Sequence, residues 1–215
     1  MGKIDEAIKD LRYLLDRGYR KTIALKFVAD HYLLSKKERN YLSRHVFSRR
    51  KIKERKSKII KLKNIKNKKL LIDGYNVLIT VENIIRNSKD IFIAQDGFLR
   101  DCSAVFGKHK ISTTTYKALK AIITTLKKYQ PKYVVFYLDK NVSFSGELAK
   151  RIRACMSKHK VNGEVILSNK VDYILKKEGK KGNVVATSDS VIIDNVKQVV
   201  DIPKEILKCS NTLLS

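Results

Sequence analysis

The sequence predicts a mixed α/β protein, with a mainly parallel sheet covered by helices on both faces and a small all-helical domain ahead of it. Three observations lead there. From residue 70 onward, short apolar runs alternate with helix-length amphipathic segments, which is the texture of βαβ units. Residues 3 to about 48 carry helical spacings only. Between the two lies a dense basic run, so the expected division is 1–48 helical domain, 49–68 basic linker or helix, and 69–215 α/β domain.

The first helix follows from Ile4, Ile8, Leu11 and Leu15, which recur every three or four residues and share one face, and Gly18 supplies its stop. A second covers "RKTIALKFVADHY", with Leu25, Val28 and Tyr32 on a stripe. A third starts at "SKKE", where Ser35 and Glu38 have the spacing of a capping box, and runs through Leu42 and Val46. Three short helices with basic faces fit either a helix-turn-helix-like nucleic-acid binder or a packing module that steadies the larger domain.

In the seam "RRKIKERKSKIIKLKNIKNKK", twelve Lys and Arg residues face the single acid Glu54. Ordinary solvated faces mix their signs. The expectation is an arm that contacts phosphates through Arg49, Arg50, Lys51, Lys53, Arg55, Lys56, Lys58, Lys61 and Lys63, without reading base sequence. Beyond it, "KLLIDG", "YVVFYLD", "GEVILS" and "NVVATSD" read as strands, separated by the helical patterns "YKALKAIITTLKKY", "GELAKRIRACMSKH" and "NKVDYILKKEG". A short strand "KQVVDI" and a helix from Pro203 close the pattern. Between Thr80 and Ile111 the pattern is irregular, with Asp96, Gly97, Arg100, Asp101 and Gly107, and a connection this long is usually functional or structured.

Composition narrows the function. The formal charge is +26, from 47 Lys and Arg against 21 Asp and Glu, so nucleic acid is the first partner to consider. No run is apolar over the roughly 18 residues a membrane span needs, which makes a cytoplasmic protein with no membrane partner the default expectation. Three dispersed cysteines and four dispersed histidines suggest neither a disulfide framework nor a zinc site. P-loop, GxGxxG and GxSxG patterns are all absent, which argues against an ordinary nucleoside triphosphatase, a dinucleotide enzyme or a serine hydrolase.

The aspartates carry the chemistry. Asp73, Asp139 and Asp189 each end an apolar run, and Asp172 follows "GEVILS" by a few residues. Parallel strands joined by right-handed crossovers point the same way, so all four can converge at the C-terminal edge of the sheet, where open α/β sheets bind ligands. Each alone can simply cap a helix or a turn. Together they repel one another unless a cation compensates, and hard oxygen donors select Mg²⁺ or Mn²⁺. Such an ion lowers the pKa of bound water and stabilises charge on a leaving oxygen, so an acidic pocket in a basic protein suits a phosphodiester.

At these residues the chain resembles a PIN-like nuclease domain of the NYN type, over roughly residues 69 to 205. "LLIDGYNVL" resembles the first strand and Asp-Gly-x-Asn turn, which maps a metal-binding carboxylate to Asp73 and a supporting amide to Asn76. "VVFYLDKN" maps a strand-terminal acid to Asp139, "KVDYILKK" a helix-borne acid to Asp172, and "VVATSDS" a Thr-x-Asp strand end to Thr187 and Asp189, with Ser188 between them. The whole chain is similar to an archaeal family of uncharacterised proteins in which a small helical domain precedes a PIN-like one. The resemblance implies a Rossmann-like α/β/α sandwich and a metal-dependent nuclease with RNA as the favoured substrate. PIN-like domains often dimerise, so a homodimer is also an expectation. Two departures stand out. Ser190 follows Asp189 where many relatives have another acid, the next being Asp194, and the Thr80–Ile111 segment is long, leaving Glu82, Asp96 and Asp101 as additional ligands or as surface charges. They leave open a non-catalytic RNA-binding or ribosome-binding protein with a degenerate pocket.

Overall fold

A computed structural model describes residues 2–102 and 109–212 of the chain. Gly107, one of the residues marking the irregular segment, lies outside the described residues. Two compact units emerge: Met1–Ser57 with Phe92–Cys102, and Lys58–Ile91 with Ser103–Ser215.

The first unit opens with α1 (Lys3–Asp16), α2 (Lys21–His31) and α3 (Lys36–His45), followed by α4 (Arg49–Lys56). Ala7, Leu11, Ala24, Val28, Leu42 and Val46 form its core, with Ile4, Ile8, Leu15, Leu25 and Tyr32 packed around them, so the expected stripes are the buried ones. The capping box at the start of α3 is made: Ser35 Oγ accepts from the Glu38 N–H, and Glu38 accepts from the Ser35 N–H. Gly18, at φ +86°, ends the first helical stretch in a conformation that costs glycine nothing.

This unit is not purely helical. The segment that reads as irregular sends β2 (Ile91–Ile93) and β3 (Leu99–Asp101) into a two-stranded sheet, most of which belongs to the first unit. Its three-residue strands are too short to display a period of two, which is why the sequence reads as loop.

The basic run also departs from expectation. Residues 49–56 are α4, and Lys58 begins the second unit, so there is no single arm from 49 to 69. Its later part is pinned to a sheet edge, where the Ile60 N–H donates to the Val199 carbonyl and the Val199 N–H to the Lys58 carbonyl. Leu62 and Ile65, on a single 3-10 turn, enter the core.

The second unit is a three-layer α/β/α fold. Its strands are β1 (Lys69–Asp73), β4 (Tyr133–Asp139), β5 (Gly163–Ser168), β6 (Val184–Ala186) and β7 (Gln198–Val200), in the order β5-β4-β1-β6-β7. Every pairing is parallel. Ile72, Phe136 and Ala186 point into a core shared with α5 (Gly74–Ile85), α6 (Thr113–Tyr129), α7 (Ser145–Lys158) and α10 (Ile202–Thr212). On the opposite face lie α8 (Val171–Lys180) and α9 (Ser190–Asn195), and Gly179 of α8 sits so close to Val185 and Val196 that a Cβ there would meet them at 3.0 and 2.4 Å. Among the described residues, no helix is long and apolar enough to cross a membrane.

Candidate functional site

The helices that follow β1 and β6 leave toward opposite faces of the sheet, which opens a crevice at the C-terminal ends of these neighbouring strands. Asp73 ends β1, and α5 begins at the next residue with no loop between, unlike the turn expected after this strand. Gly74 permits that entry. A Cβ there would lie 2.5 Å from the Leu138 side chain and 2.8 Å from the Tyr137 carbonyl oxygen, so the helix can start flush against β4 only with glycine.

The crevice is tied together by the expected supporting residues. Thr187 Oγ1 donates to Asp73 Oδ2 at 2.8 Å, and the Asp189 N–H donates to Thr187 Oγ1 at 3.1 Å. Asn76 Oδ1 accepts from both the backbone N–H and the hydroxyl of Ser188, at 2.8 and 3.0 Å. One amide and two hydroxyls thus fix the first turn of α5 to the loop after β6.

Asp73, Asp139 and Asp172 line one cavity of about 310 Å³ with Tyr75, Tyr137, Asn141, Val142 and Val171. The sheet and the first turn of α8 bring the three acids together. Asp189 acts by charge on Asp73 and Asp172. Burial pushes the Asp73 carboxyl up to about 7; the Thr187 hydrogen bond opposes this, while the charges of Asp189 and Asp172 reinforce it. Asp172 is also raised, first by burial and then by Asp189, with Lys176 opposing. Two of the acids have local duties as well. Asp189 Oδ1 caps α9 by accepting from the Val191 and Ile192 N–H groups, and Asp139 Oδ1 accepts from the Asn141 N–H.

Among the described residues, no three His, Cys, Asp or Glu side chains are grouped to hold a metal ion directly. The donor chemistry still fits a hydrated one. Magnesium commonly takes only one or two protein carboxylates and keeps several waters, and Asp73, Asp139 and Asp172 offer oxygen donors around an open cavity, with no cation among the described residues offsetting Asp73.

Other candidates belong elsewhere. Asp96 is fully buried in the first unit, where Arg100 grips it through Nη1 and Nη2 at 2.6 and 2.9 Å and Arg55 Nη1 donates at 2.9 Å. Asp101 lies in β3 of the same unit, and Arg44 donates to its carbonyl. Glu82 is buried in α5, accepting from Thr115 Oγ1 at 2.5 Å and lying 3.1 Å from His109 Nε2. Burial would raise its pKa, but His109 and Thr115 hold it below the usual carboxylate range. These three are structural acids rather than part of the pocket. Asp194 sits near the end of α9, where Lys58 Nζ donates to its carbonyl and to that of Ile193.

The basic list is corrected in the same way. Arg55 is buried against Asp96 and the Phe47 ring, and so is no phosphate contact, while Lys58 caps α9. Arg49, Arg50, Lys53, Lys56, Lys61 and Lys63 are exposed, and Lys51 is half-buried beside Glu54. Along the chain Tyr75 fits either a base-stacking or a core aromatic, and His109 is one of four dispersed histidines. The fold brings them together: the Tyr75 hydroxyl is buried without a hydrogen-bond partner among the described residues, its ring lies 5.7 Å from that of His109, and burial followed by the Asp139 charge lifts its pKa to about 12.

Comparison with known proteins places the chain in context. A family model described as a domain of unknown function (DUF5616) matches residues 62–205, and a second, described as a protein of unknown function (DUF434), matches residues 3–58. An uncharacterised protein of Methanocaldococcus jannaschii is 45% identical over 207 residues, covering 95% of this chain and 97% of its own length. No solved structure matches. The two matched stretches meet near the Ser57–Lys58 boundary between the units, and the chain belongs to the DUF5616 family, here with a DUF434-like segment ahead of it.

Proposed function

We propose that this protein is a divalent-metal-dependent nuclease that hydrolyses phosphodiester bonds in RNA at the C-terminal edge of its parallel sheet, in the cytoplasm. One observation carries the reading: in a chain of charge +26, Asp73 is held in a desolvated crevice beside Asp139, Asp172 and Asp189, and no cation among the described residues offsets it. A hydrated Mg²⁺ or Mn²⁺ ion, held by one or two of Asp73, Asp139 and Asp172 and by its own waters, would supply an activated water and charge stabilisation on the leaving oxygen. Thr187 holds the Asp73 carboxylate in one orientation, and Asn76 with Ser188 keeps the rim of the crevice in register. The Tyr75 hydroxyl stays protonated at neutral pH and can donate to a phosphate oxygen. The exposed lysines and arginines attract the strand and offset its charge.

The test is incubation of wild-type and Asp73→Asn protein with labelled RNA and DNA oligonucleotides in Mg²⁺, Mn²⁺ or EDTA. The expected result is metal-dependent RNA cleavage that disappears in the variant while RNA binding persists. Cleavage confined to DNA would change the substrate, and cleavage that survives in Asp73→Asn would overturn the site.

A second reading, an RNA-binding protein without turnover, is favoured by the helix-capping duty of Asp189 and by the absence, among the described residues, of three acids grouped closely enough to hold a metal ion directly. Tight RNA binding with no cleavage under any metal would select it.

A further inference from the structure

The first unit contains a cleft of about 540 Å³ along α1 and the start of α4, lined by Lys9, Arg12, Arg17 and Arg49 together with Tyr13, Asp10 and Asp16. Four cations meet two carboxylates, and both carboxylates are engaged. Asp10 accepts from the Tyr32 hydroxyl at 2.7 Å. Asp16 accepts from the Arg49 backbone N–H at 2.7 Å, which fixes the start of α4 beside α1. Arg12 Nε is buried and has no hydrogen-bond partner among the described residues, an arrangement that costs free energy unless an acceptor arrives. At the same cleft Tyr13 is 61% exposed, too much for a core aromatic, and Arg17 lies over its ring at 5.5 Å.

We propose that this cleft is a second nucleic-acid site, one that takes the phosphodiester backbone of an unpaired RNA strand and stacks a base on Tyr13. Guanidinium groups suit phosphate because their planar donors match its oxygens, and Arg12 Nε has the unmet donor. An exposed aromatic beside cations is the usual stacking platform for single strands, because every base presents a π face. A duplex hides its bases from such a ring. The site does not depend on catalysis in the other unit and would serve a nuclease or a binder equally.

The test uses the full chain in EDTA, so that a protein that never cuts still reports on the cleft. Fluorescence anisotropy follows a labelled single-stranded RNA, its duplex form, and vesicles containing anionic lipid. Arg17→Gln with Arg49→Gln removes two exposed charges and is expected to lower the slope of log K against log salt by about 1.4, at roughly 0.7 per phosphate contact on a single strand. Tyr13→Ala is expected to weaken single-strand binding about tenfold and leave duplex binding unchanged. Circular dichroism and melting of each variant confirm folding. Wild-type affinity and slope in the double variant would overturn the proposal. So would equal losses on single strand and duplex in Tyr13→Ala, or a preference for vesicles over RNA.

Discussion

Two aspartates, one in each unit, are both withdrawn from water and meet opposite fates. Asp96 in the first unit is fully buried, and burial alone would raise its pKa, yet Arg100 and then Arg55 outweigh that and hold it below the usual carboxylate range. Asp73 in the second unit has a hydroxyl for a partner and two other carboxylates for neighbours, and it rises to about 7. Among the described residues, a counter-charge is supplied in one place and none in the other. A buried acid neutralised from within belongs to the architecture, while one left without a cation points to something that arrives from outside.

The largest effect expected from this contrast is on stability. Asp96→Asn leaves two guanidinium groups, each 4% exposed, without their anion, and should destabilise the first unit by about 3–5 kcal/mol, read as an early transition in urea. If the variant unfolds with the wild type, the ion triad is not what holds this unit. Asp73→Asn should do the reverse. In EDTA at pH 8 it should stabilise the second unit by about 2 kcal/mol, less than the full shift implies because the residue keeps some contact with water.

Titration separates the two further. The folded pKa of Asp73 lies above its unfolded value, so its contribution is fully present below about pH 4 and is lost as pH rises through about 7. The gain from Asp73→Asn therefore opens upward across that window. The folded pKa of Asp96 is depressed, so its contribution is present above about pH 4 and disappears as pH falls through the folded value, and the cost of Asp96→Asn closes on acidification. Denaturation curves at several pH values would expose parallel behaviour, which would sink the contrast.

If the missing charge at Asp73 is a metal ion, adding Mn²⁺ at pH 8 should raise the wild-type melting temperature by several degrees, with each 1 kcal/mol worth about 2–4 °C at this size. Asp73→Asn should be unmoved. The smallest effect concerns Thr187→Val, which removes the hydrogen bond that lowers the Asp73 pKa. It should cost about 1 kcal/mol and push the carboxyl titration, followed by carbon NMR, further upward.

Much of this contrast could not be seen along the chain. Asp73 was recognisable because a buried parallel strand leaves a continuous apolar run, and the acid that breaks it must sit at the strand end. Asp139, Asp172, Asp189, Asn76, Thr187 and Ser188 followed from the same pattern and from the resemblance to PIN-like domains. Asp96 was ambiguous because its partner Arg55 is 41 residues away and looked like one more cation in a basic run. The Glu82–His109 pair was missed for the same reason, since 27 residues separate two side chains that touch. The sheet formed by β2 and β3 carried no period, and its place in the first unit is a matter of packing rather than spacing.

By itself, the sequence determined the elements: the helical stripes, the capping box at Ser35, the alternation of strand and helix, and the acids at strand ends. Periodicity and capping are local, so neighbouring residues suffice to specify them. Only the tertiary structure decided which carboxylates would find a cation. That outcome depends on side chains brought together from distant positions and on how much water each loses, and neither quantity is written into any short stretch of chain.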